Sequence, residues 1–64
     1  MYRLEVYFAG DRYPRHVERT QSAPEAMARI SRLIDEHDGC ERIVVYLGAM
    51  RLFSVDSKGN AVPG

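Results

Sequence analysis

The chain has no tryptophan, a single cysteine and a single lysine among its 64 residues. Each scarcity excludes something. With Cys40 alone, no intrachain disulfide can form, and one cysteine with two distant histidines, His16 and His37, lacks the ligand spacing of a structural zinc site. No apolar run approaches the roughly 20 residues of a membrane-spanning helix. The opening MYRLEVYF lacks the charged, apolar and small-residue layout of a secretory signal. An unpaired cysteine without such a signal fits a reducing interior, so the sequence predicts a cytoplasmic protein that engages neither membrane nor metal. The formal net charge is zero, which counts against wholesale attraction to nucleic acid.

Shortness is a scarcity too. A chain of this size buries only about 60 % of the surface its unfolded form exposes, and many such domains add a staple. Disulfides and zinc being excluded, oligomerisation is the device left.

What the chain does contain is segregated charge. Arg12, Arg15, His16 and Arg19 precede the predicted helix, and Asp35, Glu36, Asp38 and Glu41 follow it. The molecule is therefore expected to be dipolar. Eight of the nine basic residues are arginine, whose planar, weakly hydrated fork suits interfaces better than lysine does.

Hydrophobic periodicity sets the elements. Residues 2–8 alternate, with Tyr2, Leu4, Val6 and Phe8 on one side and Arg3, Glu5 and Tyr7 on the other, the period of a half-buried strand. A turn at Gly10 leads to a weaker second strand over 13–20, where Pro14 and several charges indicate a sheet edge. Ser22-Ala23-Pro24-Glu25 has the form of a capping box, with Pro24 in a first turn that leaves its missing amide unneeded. Beyond it Ala23, Ala26, Met27, Ile30, Leu33, Ile34 and His37 recur at steps of three and four, one apolar stripe of a helix over 23–37 closed by Gly39. Glu25 and Arg29 are expected to pair one turn apart. Asp35, Glu36 and Asp38 sit at the helix end where the macrodipole disfavours negative charge, so they mark either a solvated end or a docking patch.

Residues 39–56, GCERIVVYLGAMRLFSVD, predict a hairpin over 41–47 and 50–56 joined by a type II′ turn at Gly48-Ala49. A regular two-residue turn opposes Leu47 to Met50, Val45 to Leu52 and Ile43 to Ser54. The other side then carries Val44, Tyr46, Phe53 and Val55 with Arg42 and Arg51, so both faces are apolar. Residues 1–60 are expected to form one small domain and 61–64 a loose tail. The fold class predicted is α+β, a two-layer ββαββ sandwich with one helix on a mostly antiparallel four-stranded sheet, strand 1 inside it and strand 2 at an edge.

No catalytic, cofactor or metal constellation emerges. The two histidines lie on different elements, the glycines are scattered turn residues, and the acidic cluster lacks the alternating spacing of a calcium loop. The sequence therefore predicts no enzyme and no cofactor. The lead is the sheet face left without a helix, built on Tyr7, Val44, Tyr46, Arg51, Phe53 and Val55. Such a surface is expected to bind a second copy of the chain or another protein. Aromatic rings framed by arginines leave single-stranded nucleic acid as the alternative, and the size and lack of a site suit a small phage-type inhibitor of a host protein.

Overall fold

The computed structural model describes residues 1–63. In chain order the elements are β1 (Tyr2–Tyr7), β2 (His16–Thr20), α1 (Ala23–Glu36), β3 (Arg42–Leu47), β4 (Met50–Val55) and β5 (Ala61–Val62). They form one helix on a single sheet of order β2-β1-β3-β4-β5, with every neighbouring pair antiparallel. Strand 1 lies inside the sheet and β2 at its edge, as the alternation of one and the charges of the other imply. The sheet has five strands rather than four, because residues 61–62 of the expected tail pair with β4. The Asp56 carboxylate organises that return, accepting from the amides of Lys58 and Asn60 at 2.9 and 3.0 Å.

Helix α1 starts as its sequence dictates. The Ser22 hydroxyl accepts from the Glu25 amide at 3.2 Å, while the Glu25 carboxylate reaches one residue further back than a regular capping box, to the Gln21 amide at 3.1 Å. Arg29 does not pair with Glu25. Its guanidinium makes a two-pronged bond to Glu18 of β2, clamping the helix to the edge strand, and this wins because a fork meeting a carboxylate gives two hydrogen bonds for one ordered side chain. At the other end Gly39 has positive φ, but it serves the turn closed by the Cys40 amide on the His37 carbonyl at 3.0 Å rather than capping the helix directly.

The core is the seam between α1 and the sheet: Leu4 and Val6 of β1, Ile43 and Val45 of β3, Val55 of β4, Cys40, and Ala26, Ile30 and Leu33 of the helix. Here the hairpin departs from the regular register. Leu47 opposes Met50 and Tyr46 opposes Arg51, but Val45 then opposes Phe53 and Ile43 opposes Val55. Leu52 is the extra residue of a β-bulge. One inserted residue exchanges the faces of everything beyond it, so Phe53 and Val55 lie on the helix side, not on the open face. The reason is in the side chains. A regular register would turn Ser54 into the core beside Ile43 and put Phe53 and Val55 in water. The bulge puts Val55 in the core and Phe53 against it. The turn itself is type II′, with Gly48 at φ 60° and no non-glycine residue at positive φ.

Candidate interaction surface

Alternation and register define the side of the sheet away from the helix. Its first cross-strand row runs Arg19, Arg3, Tyr46, Arg51 over β2, β1, β3 and β4. The second runs Val17, Glu5, Val44, Ser54, Val62, and the third holds Tyr7 opposite Arg42. Of the residues that sequence reasoning assigns here, Tyr7, Val44, Tyr46 and Arg51 are brought together and Phe53 and Val55 are not. In place of the two departed apolar residues the face has Ser54, Val62 and Arg19. What looked like an apolar face is an arginine-tyrosine face with a small-residue floor.

The floor is closed. Val44 is 3 % exposed and Ser54 1 % exposed, although neither belongs to the helix-side core. Long side chains lie over the sheet around them. The Arg3 guanidinium stacks on the Tyr46 ring at 4.3 Å and that of Arg42 on the Tyr7 ring at 4.4 Å. Glu5 sits between these two stacks, accepting from Arg3 Nε at 2.8 Å and from the Tyr7 hydroxyl at 2.7 Å. Burial, and next the Glu5 hydrogen bond, pushes the Tyr7 hydroxyl up to about 12, so it remains a donor at any physiological pH. Arg51 donates to the Ser54 hydroxyl at 2.8 Å, and that hydroxyl in turn donates to the Val62 carbonyl at 3.2 Å.

The electrostatics are one-sided. The face holds Arg3, Arg19, Arg42 and Arg51 against Glu5 and against Glu41, which pairs with Arg42 at 3.0 Å, and Arg3 stands directly opposite Arg19. Like charges facing each other across a strand pair destabilise by about 0.2–1 kcal/mol.

The basic cluster that precedes the helix in sequence divides in space. Arg15 is committed to the loop, donating to Asp11 at 2.8 Å and covering the Phe8 ring at 4.1 Å. Arg12 is exposed in that loop, and only Arg19 reaches the sheet face. Asp35, Glu36 and Asp38 are exposed around the helix C-terminus, whose last turn holds no basic residue. There His37 helps, its Nδ1 donating to the Leu33 carbonyl at 3.0 Å.

Sequence separation hides one contact. His16 and His37, 21 positions apart in number, meet with ring centroids 4.9 Å apart and planes tilted by 38°, and His16 Nε2 lies 3.3 Å from a Glu18 oxygen. No cluster of three metal-ligating side chains occurs among the described residues. Cys40 is buried, and burial pushes its thiol up, which makes it a poor nucleophile. Among the described residues no helix is long and apolar enough to cross a membrane. Comparison of the chain with protein-family models, with curated proteins and with solved structures finds no match.

Proposed function

We propose that the protein is a non-enzymatic binding module whose arginine-tyrosine sheet face docks an acidic segment of another protein. The observation that carries this reading is the row Arg19, Arg3, Tyr46, Arg51. Strand spacing of about 4.8 Å spreads its three guanidiniums over roughly 14 Å of sheet, where a chain's own stability favours alternating signs. Carboxylates supplied from outside would turn that internal cost into charge-assisted bonds. At the two ends of the second row, exposed Val17 and half-buried Val62 would receive apolar side chains.

Two competing occupants fit less well. A second copy laid face to face would set these arginines against an identical set, with Glu5 and Glu41 from each copy in compensation. Single-stranded nucleic acid stacks its bases on aromatic faces, but Arg3 and Arg42 already cover Tyr46 and Tyr7, and Glu5 lies in the path of a phosphate backbone.

Fluorescence anisotropy with two labelled probes separates these readings: a short peptide rich in Asp, Glu and Leu, and an oligodeoxythymidylate. The peptide is expected to bind, to weaken with added salt, and to lose affinity on Arg19→Glu or Arg51→Glu with the circular dichroism unchanged. Binding of the oligonucleotide alone would replace the acidic-segment reading by the nucleic-acid one. Binding of neither at low salt would remove both.

A further inference from the structure

Strand β2 ends the sheet on one side, with no strand beyond it among the described residues. Which of its backbone groups face outwards follows from β1. The Met1 and Tyr7 carbonyls accept from the Gly48 and Glu41 amides at 3.2 and 2.8 Å, so the odd-numbered residues of β1 turn their amides and carbonyls towards β3. The even-numbered ones turn towards β2, and the Val6 carbonyl accordingly accepts from the Arg15 amide at 2.8 Å. The ladder therefore joins Tyr2, Leu4 and Val6 to Thr20, Glu18 and His16. Val17 and Arg19 lie between those rungs, and their amides and carbonyls project away from the sheet. The opposite edge offers less, because β5 has two residues and the bulge at Leu52 interrupts β4.

We propose that the edge of β2 takes an acidic segment of a partner protein as an added antiparallel strand. This mode of docking rests on the acidic-segment reading of the open face and adds how the segment's backbone is held. Val17 and Arg19 each supply one rung of two hydrogen bonds, and the guest residues that meet them are two positions apart. Alternation places those two guest side chains on the open face, beside Val17 and Arg19. Register then fixes their chemistry. The one beside Arg19 prolongs the row Arg19, Arg3, and a carboxylate there gives Arg19 the opposite charge that Arg3 denies it. The one beside Val17, which is 37 % exposed, is apolar. In an antiparallel guest the residue facing Arg19 comes first, so the signature reads acidic-x-apolar.

The strand is ready to receive a neighbour. On its helix side Glu18 is clamped by Arg29, so little of the edge has to be ordered on binding. Its charges also disfavour the β2 edge of a second copy. With that edge paired antiparallel, a twofold axis at Glu18 or Arg19 sets the residue against itself, and one at Val17 sets Arg19 against Arg15.

Amide hydrogen exchange and a set of labelled peptides test the added strand. The probe repeats Glu-Thr-Leu-Thr, which puts Glu and Leu on one side of an extended chain and Thr on the other. In the free protein the Val17 and Arg19 amides should exchange quickly and that of Glu18, bonded to Leu4, slowly. Saturating probe should slow Val17 and Arg19 by at least about tenfold. N-methylation of the probe's Glu and Leu amides, which face β2, should weaken binding by at least about tenfold, and N-methylation of its Thr amides by less than about twofold. A probe that binds equally well with either set methylated overturns the added strand and leaves the acidic-segment reading standing. So does one that binds while Val17 and Arg19 exchange as before. Failure of the unmethylated probe to bind at low salt overturns both.

Discussion

Deleting Leu52 is the sharpest test of how this sheet is put together. In the native hairpin Leu52 is the residue without a cross-strand partner. Without it β4 reads Met50, Arg51, Phe53, Ser54, Val55, which alternates without a break against Leu47, Tyr46, Val45, Val44 and Ile43. Phe53 and Val55 stay on the helix side and Ser54 stays beside Val44. The loss is the burial of Leu52 itself. A fully buried leucine is worth about 1.5–3 kcal/mol, and Leu52 is already 39 % exposed, so about 1–2 kcal/mol goes. A regularised ladder returns part of this. The deletion should therefore fold, with a Tm lower by about 4–8 °C for each kcal/mol lost. A hairpin of regular register behaves otherwise. There the deletion would turn Val55 and Phe53 in to the helix side and Ser54 out, a gain of about 1.5–3 kcal/mol for each apolar side chain buried and about 1–3 kcal/mol for the hydroxyl released from the core. That gain would exceed the loss of Leu52 and add visibly to the roughly 3–10 kcal/mol that holds a domain of this length together, so the deletion would be more stable than the wild type. Urea unfolding followed by circular dichroism, with a nuclear Overhauser contact between Val45 and Phe53 as the register marker, reads the difference. A deletion variant more stable than the wild type, or a wild type without the Val45–Phe53 contact, would refute the bulge.

Three further outcomes follow from the side-chain chemistry. The Arg29 bond holds the Glu18 carboxyl below its ordinary range, as the Phe8 amide does for Asp11 and the Asn60 amide for Asp56. Lowered folded values stabilise the ionised forms, so this contribution is complete above about pH 4–5 and disappears as pH falls through the depressed values. The urea midpoint should drop steadily below about pH 4, and Glu18→Gln should flatten part of that slope; a midpoint unchanged down to pH about 2 would contradict it. For Tyr7 the sign is opposite: its protonated form is favoured by folding, and the benefit is lost as pH rises from the ordinary value of about 10 towards about 12. Ultraviolet titration should find one of the four tyrosines ionising last, and Glu5→Gln should bring it down. Cys40 should react with a thiol reagent at mildly alkaline pH only as fast as the protein opens, so the rate should rise with urea; immediate reaction of the native protein would show the thiol to be accessible.

Much of this architecture was legible because it rests on local rules. The alternation of residues 2–7, the Ser22 cap and the glycine of the Gly48-Ala49 turn each carry their structure in adjacent side chains. What stayed hidden depends on partners distant in sequence. Two strand residues, Ala61 and Val62, are too few to show a period. The Glu18–Arg29 clamp and the His16–His37 ring contact require the helix already to lie across β2. The bulge was half visible: Leu52-Phe53 places two apolar residues side by side, and a regular register forces Ser54 towards the core. A polar residue demanded in the core is a signal that one residue is extra. Following it would have moved Phe53 and Val55 to the helix side and exposed the arginine row as the stronger feature of the open face.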